Sequence, residues 1–322
     1  MIRFFVEYRI IWFFLGPLLL LVFHLLNFLT GSLEVPNQLD LGLFGELSLN
    51  SPLLSRFLAG LLVLLNALNL TRIFNENEFY DKSIYSTGFL YCVFMSLFHS
   101  FYHLSSVLIV HSLLIIVLRE VLLLKQQEGD QKHVFNGALI LGLCICIHPP
   151  AVVYAIPFLI AVWNLKVIQF RDFLLILVGL IIPFIYVGSY YFLNHEVIII
   201  DLFNAPSKWK MIVFDLLFVL IVLSFLFLIS FVSLRSNTIK STLRLRKMMV
   251  PVWGFFILGS FFGIYDLFFF GQVDRISFVL ISLPIFVNYA LVNRNYRLFA
   301  GILFYIALSY SLVKFFTVLP FG

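Results

Sequence analysis

Charge is what this sequence has least of. Only 11% of its 322 residues are Asp, Glu, Lys or Arg, against 62% hydrophobic, and the mean hydropathy is +1.06. Soluble domains carry about 25% charged residues, and so few cannot coat a water-soluble fold of this size. A cytosolic enzyme, a secreted scaffold and a disordered chain are excluded, which leaves a protein whose solvent is lipid. Cysteine is scarce too. Cys92, Cys144 and Cys146 all lie in apolar runs, where free cysteine is a small packing residue and no disulfide framework follows. Walker A, G-x-G-x-x-G and G-x-S-x-G sequences are absent, which speaks against an ATPase or a serine hydrolase. The net charge of +5 forms no basic stripe. Basic residues punctuate apolar runs instead, so nucleic acid is not an expected partner, and no cofactor is implied.

What is present is long apolar runs. A span needs about 20 mainly apolar residues. Reading between charged and turn-forming punctuation gives eleven segments, at 10–29, 54–72, 84–99, 102–124, 133–148, 150–165, 172–193, 211–233, 250–270, 276–292 and 298–318. The expected fold is an all-α, polytopic transmembrane bundle forming one integral membrane domain over 1–322. Two arginines precede the first run without a small-residue cleavage site after it, so the first span is expected to be retained. With the N-terminus in the cytoplasm, alternation puts 16 of the 21 Lys and Arg residues inside and leaves Arg56, Lys208, Lys210, Arg275 and Lys314 outside. That asymmetry predicts a cytoplasmic N-terminus and a periplasmic C-terminus in the inner membrane. The 16 acidic residues divide eight and eight, so the bias belongs to Lys and Arg alone. The basic run 235–247 is expected at anionic headgroups, with a phosphate-bearing partner as the sharper reading.

Polar side chains in or near hydrocarbon are costly and mark candidate sites. Many of them collect toward the outer face. Glu34, Asp40 and Glu46 lie in the first outer loop, whose alternation of apolar and polar residues would also suit an amphipathic element on the membrane surface. His99 and His103, one helical turn apart, flank the turn between the third and fourth segments. That spacing fits either a two-ligand metal face or a hydrogen-bonding surface, and lacks the Glu of H-E-x-x-H. His111 lies deeper, where it would satisfy a neighbouring helix or pass a proton. His148 precedes a Pro-Pro helix break. His24, toward the outer end of the first segment, and His195, Glu196, Asp201, Asp215, Asp266, Asp274 and Arg275 complete the set.

The order of segments FLYCVFMSLFHSFYHLSSVLIVHSLLIIVLREVLLL (89–124), FNGALILGLCICIHPPAVVYAIPFLIAVW (135–163) and FLLILVGLIIPFIYVGSYYF (173–192) resembles the core of the GT-C superfamily, membrane glycosyltransferases that use polyprenyl-phosphate sugars. The likeness is strongest over 84–193, with Gly137 and Gly142 in place of that superfamily's glycine pair at a spacing one residue longer. It implies a catalytic carboxylate in the first outer loop, for which Glu34 is the nearest match and Asp40 the next. It also implies donor-phosphate contacts, for which His99, His103 and Arg275 are the candidates. The turn HSFYH departs from the family pattern, since it has neither carboxylate nor arginine. The stretch LNLTRIFNENEFYDKSIYSTGFLYCVFMSLF (68–98) also resembles a family of uncharacterised Bacteroidota inner-membrane proteins, which implies no activity. Three functions remain open: such a transferase, a non-enzymatic subunit of an envelope assembly or secretion complex with membrane-protein partners, and a lipid flippase or transporter.

Overall fold

The computed structural model describes residues 11–30, 38–48, 51–80, 82–124, 130–166, 169–194, 213–238, 242–270, 274–293 and 295–315. They form eleven α-helices and one hairpin: α1 (Ile11–Thr30), β1 (Gln38–Asp40), β2 (Glu46–Ser48), α2 (Pro52–Glu76), α3 (Ser86–Met95), α4 (Ser106–Leu122), α5 (Gln131–Ile147), α6 (Ala155–Leu165), α7 (Phe170–Asn194), α8 (Val213–Thr238), α9 (Leu243–Phe270), α10 (Leu283–Val292) and α11 (Arg297–Val313). Each of the eleven apolar segments overlaps one of these helices.

Five helices, α1, α2, α7, α8 and α9, are long and apolar enough to cross a membrane. Their outward faces carry large apolar side chains such as Phe14, Leu29, Phe170, Tyr186 and Phe192. Water would reject a surface of that kind and lipid accepts it.

The other six α-helices are shorter, and two of their segments differ most from continuous spans. Helix α3 has ten residues, every one of them buried, so it is about 15 Å long, half a hydrocarbon core. A helix that is apolar on every side belongs inside a bundle, and α3 packs against α1, α2, α10 and α11. The tenth segment is a 3-10 stretch, Asp274–Ile281, that meets α10 at a 53° bend. Pro284 near the start of α10 lacks an amide hydrogen and prevents one continuous helix. The basic run 235–247 is largely helical as well, because α8 extends to Thr238 and α9 starts at Leu243.

Polar pairs fasten α3 to its neighbours. Asn66 on α2 donates to Tyr91 Oη (3.1 Å) and to Ser112 Oγ on α4 (2.9 Å). Asn288 on α10 accepts from Ser86 Oγ (2.7 Å) and donates to Thr87 Oγ1 (2.6 Å). Ser96 and Ser311 join the turn after α3 to α11 at 2.9 Å. Replacing Asn288 with leucine strands two buried hydroxyls and should cost about 1–2 kcal/mol. Denaturant unfolding in micelles measures this. Asn164→Ala, which removes one exposed bond within its own helix, should leave the midpoint unchanged.

The bundle has two chemically different ends. At one lie the ion pairs Arg72–Glu76, Arg119–Glu76, His133–Glu120 and Lys166–Asp172. At the other, the α3–α4 turn meets the C-terminal half of α1, the start of α2, the Asp274 segment and the end of α11. The first-loop alternation has formed a strand pair, because a period of two is a strand period. The hairpin turn sits against the end of α5, where a Cβ on Gly42 would lie 2.5 Å from the Ile147 carbonyl oxygen. Gly42 also has φ +60°, so the position requires glycine both for its backbone and for its closeness.

Candidate functional site

The site forms where α3 stops. Ser96 Oγ bonds back to the Val93 carbonyl (2.6 Å), and Tyr102 Oη donates to the Ser96 carbonyl (3.1 Å). Ser105 Oγ then caps α4 by accepting from Leu108 N (3.2 Å), a standard helix start. Between them the chain makes a buried 3-10 turn, His99–Phe101. Leu104 N donates to Ser55 Oγ at the head of α2 (3.0 Å). The His99 and His103 rings meet edge to face with centroids 4.4 Å apart, and His103 Nδ1 lies 3.1 Å from the His99 carbonyl.

The Asp274–Ile281 segment brings the charge. It lies tightly on α9 because α9 presents glycine there. A Cβ on Gly263 would stand 2.9 Å from Ile276 Cα, and one on Gly259 would stand 3.1 Å from the Phe278 carbonyl carbon. Small residues let backbones approach this closely in apolar bundles. The result is a buried Arg275, 2% exposed, with its guanidinium 5.5 Å from the Phe262 ring centroid, a cation–π distance. The half-buried Asp274 has its carboxylate bonded to the backbone of Ser100 and faces the cations Lys314 and Arg275. Lys314 is itself buried and also acts on His99. Arg275 acts in turn on His148.

A second layer of polar groups surrounds Phe278. His111 stacks on that ring at 5.9 Å and meets Tyr91 at 5.5 Å, while Tyr154 and His148 lie 5.8 and 6.5 Å from the same ring. Both His111 ring nitrogens, His148 Nε2 and the Tyr154 hydroxyl are buried with no hydrogen-bond partner among the described residues. Buried polar atoms are normally satisfied, so these have capacity to bind polar groups.

Of the residues singled out from sequence, His99, His103 and Arg275 fall in one neighbourhood. Asp40 is exposed on the hairpin and accepts from Gly42 N (2.8 Å), so it holds the turn that caps α5. Glu34 lies outside the described residues, as do His195, Glu196 and Asp201. Among the described residues no group of three His, Cys, Asp or Glu side chains is placed to hold a metal ion, so the His99–His103 pair lacks a third protein ligand there. Sequence reasoning did not connect Asp274 and Lys314 with the histidines. Their partners are more than 170 residues away in the chain, and no local spacing reports such a contact. The glycines that seat the segment did leave a signal, GSFFG at 259–263, a G-x-x-x-G pattern. Comparison with protein-family models, with curated proteins and with solved structures gives no match to this chain.

Proposed function

We propose that the chain is a polytopic inner-membrane protein, with its N-terminus cytoplasmic and its C-terminus periplasmic, and acts as a GT-C-like transferase on a polyprenyl-phosphate sugar. One observation carries the reading. Two buried cations, a carboxylate and two imidazoles gather at the bundle end that the basic-residue asymmetry assigns to the periplasm. Arg275 presents a forked donor suited to phosphate, and Lys314 adds a second charge. In the transfer, an acceptor oxygen attacks the sugar's anomeric carbon. The bond from that carbon to the phosphate oxygen breaks, and polyprenyl phosphate leaves as the anion held by Arg275 and Lys314. The acceptor's proton passes to a carboxylate. Asp274 stands beside the cations, with Glu34 and Asp40 as the first-loop candidates.

A second reading has its own support. Asp274 faces Lys314 and Arg275, so the cluster is partly self-neutralised and would also serve as a polar latch in a subunit of an envelope complex. The charge-balanced variant Asp274→Asn/Lys314→Met separates the two. In cells complemented with it, at wild-type membrane abundance, a transferase accumulates lipid-linked sugar with turnover down about 10²-fold or more. Wild-type lipid-linked sugar and product profiles with that variant would remove the catalytic assignment.

A further inference from the structure

A lateral groove at the opposite end lies between the last turns of α8 and the first turns of α9, with a volume of about 440 Å³. Helix α8 contributes Phe231, Leu234 and Arg235; helix α9 contributes Arg246, Met249 and Trp253. Phe231 lies three and four residues before Leu234 and Arg235, and Arg246, Met249 and Trp253 are three, four or seven apart, so each set occupies one helix face. Both arginines are exposed and line the groove beside its apolar residues. The wall behind is firm: Trp253 contacts Phe286 with centroids 4.6 Å apart and Phe231 at 5.7 Å, and Phe227 stacks on Phe256 at 4.3 Å. Below the groove, exposed Leu228 and Val232 continue the apolar face along α8.

We infer that this groove is a binding site for an anionic phospholipid, whose phosphate is held between Arg235 and Arg246 while its acyl chains run down past Phe231 and Trp253. Charge complementarity selects the headgroup, since paired guanidinium forks match phosphate oxygens. The arginine stems lie along apolar surface and carry their charge to the headgroup level. A preformed aromatic wall lowers the ordering cost of the acyl segment. The inference is independent of the transferase reading and concerns the other end of the bundle.

Trp253 reports on the site directly. In a protein carrying Trp12→Phe, Trp163→Phe and Trp209→Phe, the remaining tryptophan lines the groove. It is reconstituted in phosphatidylcholine bilayers with increasing fractions of either brominated phosphatidylglycerol or brominated phosphatidylcholine. Quenching by the brominated anionic lipid should reach half-maximum at about a tenfold lower mole fraction than quenching by the brominated zwitterionic lipid. Arg235→Gln and Arg246→Gln should each reduce that preference about fivefold. Arg244→Gln and Lys247→Gln, on the same exposed turns but outside the groove lining, should keep it. Equal quenching by the two lipids overturns the site. So does an equal loss in all four variants, because that is the behaviour of a diffuse basic surface. Soluble glycerol phosphate at millimolar concentration should not displace the brominated lipid; displacement would mean that the groove binds free phosphate and would overturn the lipid assignment.

Discussion

Leucine at Gly142 or Gly179 should detach α7 from α5 and lower stability by more than about 3 kcal/mol. These helices form the broadest helix pair among the described residues, and they meet through glycine. A Cβ on Gly142 would lie 2.7 Å from the Leu180 carbonyl oxygen, and one on Gly179 would lie 2.9 Å from Ala138 Cβ and 3.0 Å from the Phe135 carbonyl oxygen. Backbone atoms cannot rotate aside as side-chain ends can, so the added carbons must push the helices apart. Even single-methylene overpacking costs about 1–3 kcal/mol, and leucine adds four carbons. Lipid gives no hydrophobic drive to close the gap again, because the tails are as apolar as the helices. Denaturant titration in mixed micelles measures the loss. Gly188→Leu is the matched control on α7, since a Cβ there meets nothing within 4 Å. If Gly142→Leu and Gly188→Leu unfold at the same midpoint, the glycine contact is not what holds α7.

Asp274→Asn should destabilise this end of the bundle by about 1–3 kcal/mol, because burial partly offsets the attraction between the carboxylate and its cations. It removes a carboxylate that faces both Arg275 and Lys314 and that bonds to the Ser100 backbone. Arg275→Gln and Lys314→Met should each cost less, because Asp274 then keeps one cation. Combining Asp274→Asn with Lys314→Met should recover at least half the loss. Equilibrium unfolding of the four variants gives the coupling. Simple additivity would mean that the three groups do not act as a unit.

The eleven apolar segments were readable because burial and lipid exposure both demand apolar residues, and hydropathy records that demand. Hydropathy does not record helix length. The segment at 84–99 has the composition of a span, yet only Ser86–Met95 is helical, because side chains after Ser96 turn the chain back on itself. The tenth segment hides its break in the same way. The His99–His103 pairing was legible from its spacing, since one helical turn is a local relation. Its neighbours Asp274 and Lys314 were not, because they arrive through the packing of α9 and α11. The loop between α1 and α2 was legible only as an alternation. What made it a hairpin against α5 was Gly42, whose positive φ and close approach to Ile147 depend on a surface that the local sequence does not contain.

The burial of α3 bears on how the protein is made. At about 15 Å, with Ser86 and Thr87 in its first turn and Ser96 just past its end, α3 is a poor substrate for insertion into lipid by itself. The groups that satisfy those hydroxyls, Asn288 and Ser311, are synthesised some 200 residues later. Until the last two helices leave the ribosome, the centre of the bundle is unfinished. The final architecture therefore waits for α10 and α11 to enter beside a segment made some 200 residues before them. A chain truncated before Asn288 should remain bound to the insertion machinery.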